Sequence, residues 1–244
     1  MLPGLTLIKK CSKCQRLIEE ETIMSGNTCG AVFWTDGEYY ADMLPDEPEL
    51  VKCPFCKALV WLKELEEVGD KGINRFAGFV PIQPPDATLD ITRPYKMPNR
   101  NDYFRLLKVK IDNTEREIYL RLRAWRAGND RRRRSERGPL KFKKKIGKPL
   151  EPLSYPEIKN MKELVCMLDG QNDEERLLKA ELLRELGFFN RSLYLLAKPL
   201  EEEYKVSAAF IRELAEKQDP WVRELKPEED RVGNVDHQGT GFTS

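Results

Sequence analysis

Two pairs of cysteines, each with two residues between its members, constrain this chain of 244 residues more than any other feature. Cys11 and Cys14 form the first pair, and Cys53 and Cys56 form the second. A Cys-x-x-Cys turn presents two sulfur atoms on one tight loop. Two such turns complete a tetrahedral Zn²⁺ site, with zinc–sulfur distances of about 2.3 Å and no open coordination position. The four cysteines therefore predict a closed, structural zinc site.

The chain between the two pairs needs secondary structure of its own. It contains 38 residues, against about 15–20 in compact four-cysteine sites. An apolar run at 31–34, an Asp36-Gly37 turn and a returning segment at 38–40 predict a β-hairpin. Further short strands are predicted just before Cys53 and at 59–62.

The region 9–62 resembles the zinc-ribbon proteins, in which two such cysteine turns hold a small β domain together. A segment near 180–193 resembles the turn of a tetratricopeptide-like helix pair. That family has a small residue in its first helix, then a turn glycine, an aromatic residue and a second small residue. These four places are taken, in that order, by Ala180, Gly187, Phe189 and Ser192. The layout as a whole resembles uncharacterised bacterial zinc-ribbon proteins that have a helical C-terminal half. These resemblances imply a fold and supply no activity.

The other cysteine interpretations are weaker. A redox Cys-x-x-Cys normally lies in a βαβ context, which is missing here. Cys29 is either an alternative zinc ligand or a small half-buried residue. Cys166 lies among the apolar residues Val165 and Leu168, so we expect it in a helical core.

Composition and periodicity predict an α+β protein with four regions. A small β zinc ribbon occupies 1–68, and a Pro-rich connector follows at 69–100. A mostly helical region covers 101–226, with a basic loop at 128–150, and a disordered tail is expected at 227–244. Asn101-Asp102 is a candidate N-cap. The Thr114–Glu117 spacing predicts a capping box.

Charge is segregated along the chain although the net charge is only +1. Residues 1–70 carry −6, residues 93–149 carry +14 and residues 150–244 carry −7. The basic middle either binds a polyanion such as nucleic acid or pairs with the acidic flanks of the same chain. We expect its charge runs to be exposed and mobile, because like charges repel. The candidate contact residues are Arg121, Arg126, Arg131, Arg132, Arg133, Arg134, Lys143, Lys144 and Lys145.

Four aromatic residues around the predicted ribbon strands are candidate anchors for a partner: Trp34, Tyr39, Tyr40 and Trp61. A small zinc domain needs some of them in its core. Any that remain exposed are suited to an interface, where Trp and Tyr contribute much of the binding energy.

The sequence favours a non-enzymatic protein. Its one histidine, His237, lies in the expected tail, and histidine-dependent catalysis would need it. Phosphate-binding and dinucleotide fingerprints are missing. We predict a cytoplasmic zinc-binding adaptor, chaperone or toxin-neutralising protein, with another protein as partner, no membrane and no small-molecule substrate. The alternative is a nucleic-acid-binding protein that uses segment 121–148, and an enzyme with carboxylate chemistry is a third.

Overall fold

The computed structural model describes residues 1–71, 91–134, 143 and 150–226. Within these residues strands dominate the N-terminal part and helices dominate the C-terminal part, which confirms the predicted α+β class. The strands are β1 (Leu2–Lys10), β2 (Leu17–Ser25), β3 (Val32–Trp34), β4 (Tyr39–Tyr40), β5 (Leu50–Lys52), β6 (Leu59–Trp61), β7 (Glu66–Lys71), β8 (Arg93–Pro94) and β9 (Glu224–Leu225). The helices are α1 (Arg100–Leu106), α2 (Thr114–Asn129), α3 (Tyr155–Met167), α4 (Asp173–Glu185), α5 (Phe189–Leu196) and α6 (Glu202–Glu216).

The chain divides into two compact units, each assembled from three segments. The first unit contains residues 1–31, 40–132 and 149–167, and the second contains 32–39, 133–148 and 168–244. Most of the predicted connector, the basic loop and the tail lies outside the described residues. The boundaries predicted at 68, 100 and 226 stay predictions.

A four-stranded sheet in the order β7-β1-β2-β8 forms the β part of the first unit. β1 pairs antiparallel with β2, so that Lys10 lies opposite Leu17 at the end next to the first cysteine pair. β5 and β6 form a separate antiparallel hairpin around the second pair, with Lys52 opposite Leu59. Each cysteine pair is thus the connection of a β-hairpin.

Two buried clusters stabilise the first unit. One surrounds the cysteine turns and contains Ile18, Val51, Val60 and Leu62. The other joins β5 to α1 and α2 through Leu50, Tyr103, Leu120 and Ala124. Lys52 also donates to the Asp102 carboxylate, with Nζ–Oδ distances of 2.9 and 3.0 Å. The strand that leads into the second cysteine pair is therefore fixed to α1 by apolar and ionic contacts.

The second unit combines the β3–β4 turn, β9 and helices α4 to α6. β3 pairs antiparallel with β9, Phe33 opposite Leu225, and Val32 and Trp34 pack on Val222. Ala180 of α4, Leu196 of α5 and Ala208 and Ile211 of α6 form the helical core.

The segment compared with tetratricopeptide-like helix pairs has a regular helix–turn–helix geometry. Gly187 lies between α4 and α5 with φ of +81°, a conformation that glycine adopts without a Cβ clash. Ala180 of α4 and Ser192 of α5 are both fully buried.

Candidate metal centre

The two cysteine turns have the same backbone geometry. In the first, the Gln15 amide donates to the Cys11 carbonyl at 2.9 Å, and the Cys11 amide donates to Arg16 at 2.9 Å. In the second, the Lys57 amide donates to the Cys53 carbonyl at 3.1 Å, and the Cys53 amide donates to Ala58 at 2.8 Å.

The residue after the second cysteine of each pair adopts a left-handed conformation. Gln15 and Lys57 both have φ of +63°, which non-glycine residues adopt uncommonly. This conformation turns the chain back sharply at the same position after each pair.

The four sulfur atoms converge on one point. Cys11 Sγ lies 3.9 Å from Cys56 Sγ, and Cys14 Sγ lies 3.7 Å from Cys53 Sγ. All four lie within 4.8 Å of one another, and none forms a disulfide. A tetrahedron with metal–sulfur distances of about 2.3 Å has sulfur–sulfur edges of about 3.8 Å. The cluster thus has the dimensions of a four-thiolate metal site.

The surroundings give the cluster thiols different proton affinities. Burial raises the pKa of Cys14, but hydrogen bonds from the Arg16 backbone and neighbouring thiols outweigh it and lower the pKa to about 7. Burial raises the pKa of Cys53 to about 12, although backbone hydrogen bonds from Cys56 and Phe55 oppose it. Burial also raises the pKa of Cys56. Because a metal binds thiolates, loading the site at neutral pH releases protons.

The remaining cysteines stay outside the cluster. Cys29 is exposed rather than half-buried. The expectation for Cys166 is wrong, because its side chain is exposed. The buried apolar residues of that helix are Met161 and Leu164, and Leu168 is buried just beyond it. Residue 166 lies two positions after Leu164, which places it about 200° around the helix from that buried stripe.

The candidate aromatic anchors have different environments. Trp34 is 1 % exposed and belongs to the core beside β9 rather than to the cysteine turns. Tyr39 is half-buried and stacks on Phe33 with ring centres 5.9 Å apart. Tyr40 is 37 % exposed. Trp61 follows the second cysteine turn, with its ring 5.6 Å from Tyr119 and with the Arg116 guanidinium over it.

The basic candidates are more buried than their charge suggested. Arg132 is 2 % and Arg133 is 0 % exposed, so the expected exposed, mobile run is wrong for these residues. Arg132 pairs with Glu157 at 3.1 Å, and Arg133 pairs with Asp36. Both carboxylates lie in the acidic flanks of the sequence. These two arginines therefore pair with acidic residues of the same chain, as the second of the two alternatives predicted.

The other basic candidates have mixed environments. Arg121 pairs with Glu117 at 2.6 Å and with Glu163 at 2.5 Å, and Arg131 pairs with Glu157 at 2.6 Å. Arg126 and Arg134 are half-buried, and Lys143 is exposed. Lys144 and Lys145 lie outside the described residues.

An apolar groove of about 440 Å³ lies beside the second cysteine turn, in the first unit. The predictions did not include it, because its residues come from two distant parts of the chain, 50–61 and 106–120. Val109, 67 % exposed, lies on its wall. The apolar lining residues are Leu50, Leu59, Trp61, Leu106, Val109, Ile111 and Leu120.

Comparison of the chain with protein-family models, with curated proteins and with solved structures gave no match. In the part of the chain that the structure describes, every helix is too short or too polar to cross a membrane.

Proposed function

We propose that the chain is a zinc-stabilised protein-interaction module, of the adaptor, chaperone or toxin-neutralising type, without catalytic activity of its own. The observation that carries the proposal is the tetrahedral spacing of the sulfur atoms of Cys11, Cys14, Cys53 and Cys56. A bound Zn²⁺ would supply a structural crosslink between the two cysteine turns, with all four coordination positions filled by protein.

The choice of zinc follows from the donor set. Four thiolates in a tetrahedral arrangement favour zinc or iron–sulfur chemistry over calcium, magnesium or manganese, which prefer oxygen donors. The two hairpins place their sulfur atoms around a single point, which suits one ion. Structural zinc contributes about 10–16 kcal/mol of apparent binding free energy in small zinc domains.

The cysteine turns can control the groove through the β5–β6 hairpin. Cys53 directly follows β5, and Cys56 lies three residues before β6. Leu50, Leu59 and Trp61 of the same hairpin line the groove. The Tyr119 hydroxyl accepts the backbone N–H of Leu50 at 3.3 Å and so holds this hairpin against α2. Fixing Cys53 and Cys56 therefore also fixes one wall of the groove.

The groove has the composition of a protein-binding surface. Its lining combines aliphatic side chains with Trp61 and with polar residues such as Lys110 and Asn113. An apolar centre with an aromatic anchor and a polar rim is typical of protein interfaces. We infer that an apolar segment of a partner protein docks here.

The test compares partner capture by the natural protein, a chelated sample and a groove variant. Tagged protein from native lysate should recover one protein in near-equal amount, and treatment with a strong zinc chelator should abolish recovery. Val109→Asp places a charge in the groove and should also abolish recovery, while zinc content and circular dichroism stay unchanged. Val206→Asp, at a 53 % exposed residue of α6, is the matched control. Capture that survives both chelation and Val109→Asp would refute the proposal.

A further inference from the structure

The surface of the cysteine turns carries cations that have no carboxylate partner. Lys13, Arg16, Lys57 and Arg93 are all exposed, and within the described part of the chain none of them forms an ion pair. Arginines elsewhere in the same unit do pair: Arg100 with Glu157, Arg105 with Asp102 and Arg123 with Asp46. Among the described arginines of this unit, Arg16 and Arg93 are therefore exceptions, although lysines such as Lys63, Lys96 and Lys108 also lack a carboxylate partner there.

Phe55 gathers two of these cations at one point. The guanidinium carbon of Arg16 lies 5.1 Å from the centre of the Phe55 ring, and that of Arg93 lies 5.3 Å from it. The two positive charges are consequently no further apart than the sum of these distances. Contact with an aromatic face holds a guanidinium in place by cation–π attraction. Neither guanidinium donates a hydrogen bond to another residue in the part of the chain that the structure describes.

This arrangement suits a ligand with closely spaced carboxylates. A guanidinium carries N–H donors in a fork that matches a carboxylate, and an aromatic contact limits the rotamer freedom lost on binding. Lys13 and Lys57 lie next to cluster cysteines and extend the positive surface around the two arginines. An acidic peptide can meet all four cations over a short length.

A long nucleic acid fits this surface less well. The sheet beside the first cysteine turn carries carboxylates on β2 and β7, of which Glu19, Glu20 and Glu66 pair with lysines of the same sheet. The carboxylates are Glu19, Glu20 and Glu21 on β2 and Glu66 and Glu67 on β7. A phosphate backbone that continued beyond the positive patch would meet these carboxylates and be repelled. A short acidic segment ends before it reaches them.

We propose that Arg16 and Arg93, held on Phe55 and supported by Lys13 and Lys57, bind an acidic peptide segment of a partner protein that contains adjacent aspartates or glutamates. This inference rests on the proposed role as a protein-interaction module and adds a second contact surface to the apolar groove.

The probe for the test is a fluorescent peptide of consecutive glutamates, titrated with the zinc-loaded full chain and followed by anisotropy. A peptide of consecutive lysines and an oligothymidylate serve as comparison ligands. The glutamate peptide should bind at low salt and weaken as salt is added. The double variant Arg16→Gln/Arg93→Gln should bind it about tenfold more weakly, with unchanged zinc content. Arg191→Gln is the matched control, since Arg191 is also exposed and lies over a ring, that of Phe188.

Three outcomes would overturn the inference. The first is equal peptide affinity for the natural protein and the double variant. The second is oligothymidylate that binds more tightly than the glutamate peptide, which would assign the surface to nucleic acid. The third is zinc release by the double variant and by Arg93→Gln alone, which would assign the arginines to balancing the charge of the metal–thiolate cluster. Val109→Asp should leave peptide binding unchanged, so failure here and failure of the groove proposal are distinguishable.

Discussion

At the scale of single residues, position in a turn decides which cysteines join the cluster, and exposure does not. Cys56, Cys29 and Cys166 are all exposed, yet of these three only Cys56 belongs to the cluster. Cys56 lies three residues after Cys53 in the turn between β5 and β6, whereas Cys29 and Cys166 have no second cysteine at that spacing. The sequence could predict all four members of the cluster, because each belongs to a Cys-x-x-Cys pair.

The substitution Cys56→Ser should therefore remove most of the metal. A hydroxyl is a poor zinc ligand, and loss of one thiolate forfeits a large part of the roughly 10–16 kcal/mol that a structural zinc supplies. Metal analysis of purified protein should fall well below one zinc per chain, and circular dichroism should show loss of strand signal. Cys166→Ser, equally exposed and outside the cluster, should retain full zinc. Equal zinc in both variants would contradict the four-thiolate site.

The burial of Arg132 and Arg133 shows what local sequence could not predict at this scale. Four consecutive arginines are a pattern typical of a solvated run, yet two of them are within 2 % of complete burial. Their partners Glu157 and Asp36 lie 25 and 97 residues away. A pattern that looks only at neighbours cannot anticipate carboxylates at that separation.

At the scale of elements, helix starts were predictable to within about two residues. The cap of α1 is Asn99 rather than Asn101-Asp102, with a reciprocal capping box to Asp102. The cap of α2 is Asn113 rather than Thr114. In each case asparagine supplies a side-chain oxygen to the N3 amide, and several polar residues near a helix start compete for that role.

Strands were predicted less well than helices. β2 and β7 were missed because Glu19, Glu20, Glu21, Glu66 and Glu67 are poor strand formers. Their extended conformation comes from pairing with β1, which holds both as neighbours in the sheet. Tertiary pairing overrides propensity in such segments.

Helix α2 contains one glycine, Gly128, whose replacement by alanine should destabilise the protein, whereas this change normally stabilises a helix. A Cβ at Gly128 would lie 2.9 Å from Glu157 Oε1, a carboxylate fixed by Arg100 and Arg132. Gly→Ala in a helix interior normally stabilises by about 1 kcal/mol. Gly128→Ala should instead lower the free energy of unfolding by about 1–3 kcal/mol, because the buried carboxylate has to move. Urea unfolding measures the difference, and a stabilised variant would contradict this contact.

At the scale of the whole molecule, the basic middle of the chain finds acidic partners within each unit. In the first unit Arg123 pairs with Asp46 and Arg132 with Glu157, and in the second Arg133 pairs with Asp36. Each of these contacts joins the middle of the sequence to one of its acidic ends. Composition along the chain identified the three charge blocks, but only the fold determines which members meet.

This pairing should make stability depend on acid pH. Burial raises the pKa of Glu157, but hydrogen bonds from Ser154 and the charges of Arg132 and Arg100 outweigh it and lower the pKa. Because the pKa of Glu157 is lower in the folded protein, its ionised form stabilises the fold at any pH above the unfolded-state pKa of about 4.3. This stabilisation is lost as the pH falls through the folded-state pKa. Glu157→Gln should flatten that acid dependence and cost about 3 kcal/mol at neutral pH, because Arg132 stays buried without its charge partner.

Chemical unfolding at a series of pH values checks this expectation. Glu151→Gln is the control, since Glu151 shares the partner Arg131 and its side chain is 60 % exposed. It should keep the acid dependence of the natural protein. An equal effect of both substitutions would show that burial of Glu157 does not govern the acid response.

The way in which the first unit is threaded has a consequence for biosynthesis. That unit takes its last helix, α3, from residues that follow a part of the second unit in the chain. A ribosome must therefore translate as far as Met167 before α3 is complete and can pack on α2, whose Leu120 and Ala124 lie against Leu50 of the second cysteine hairpin. A gene truncated after codon 68 or 100 would encode the four cluster cysteines without the helices α1 and α2 that pack on β5.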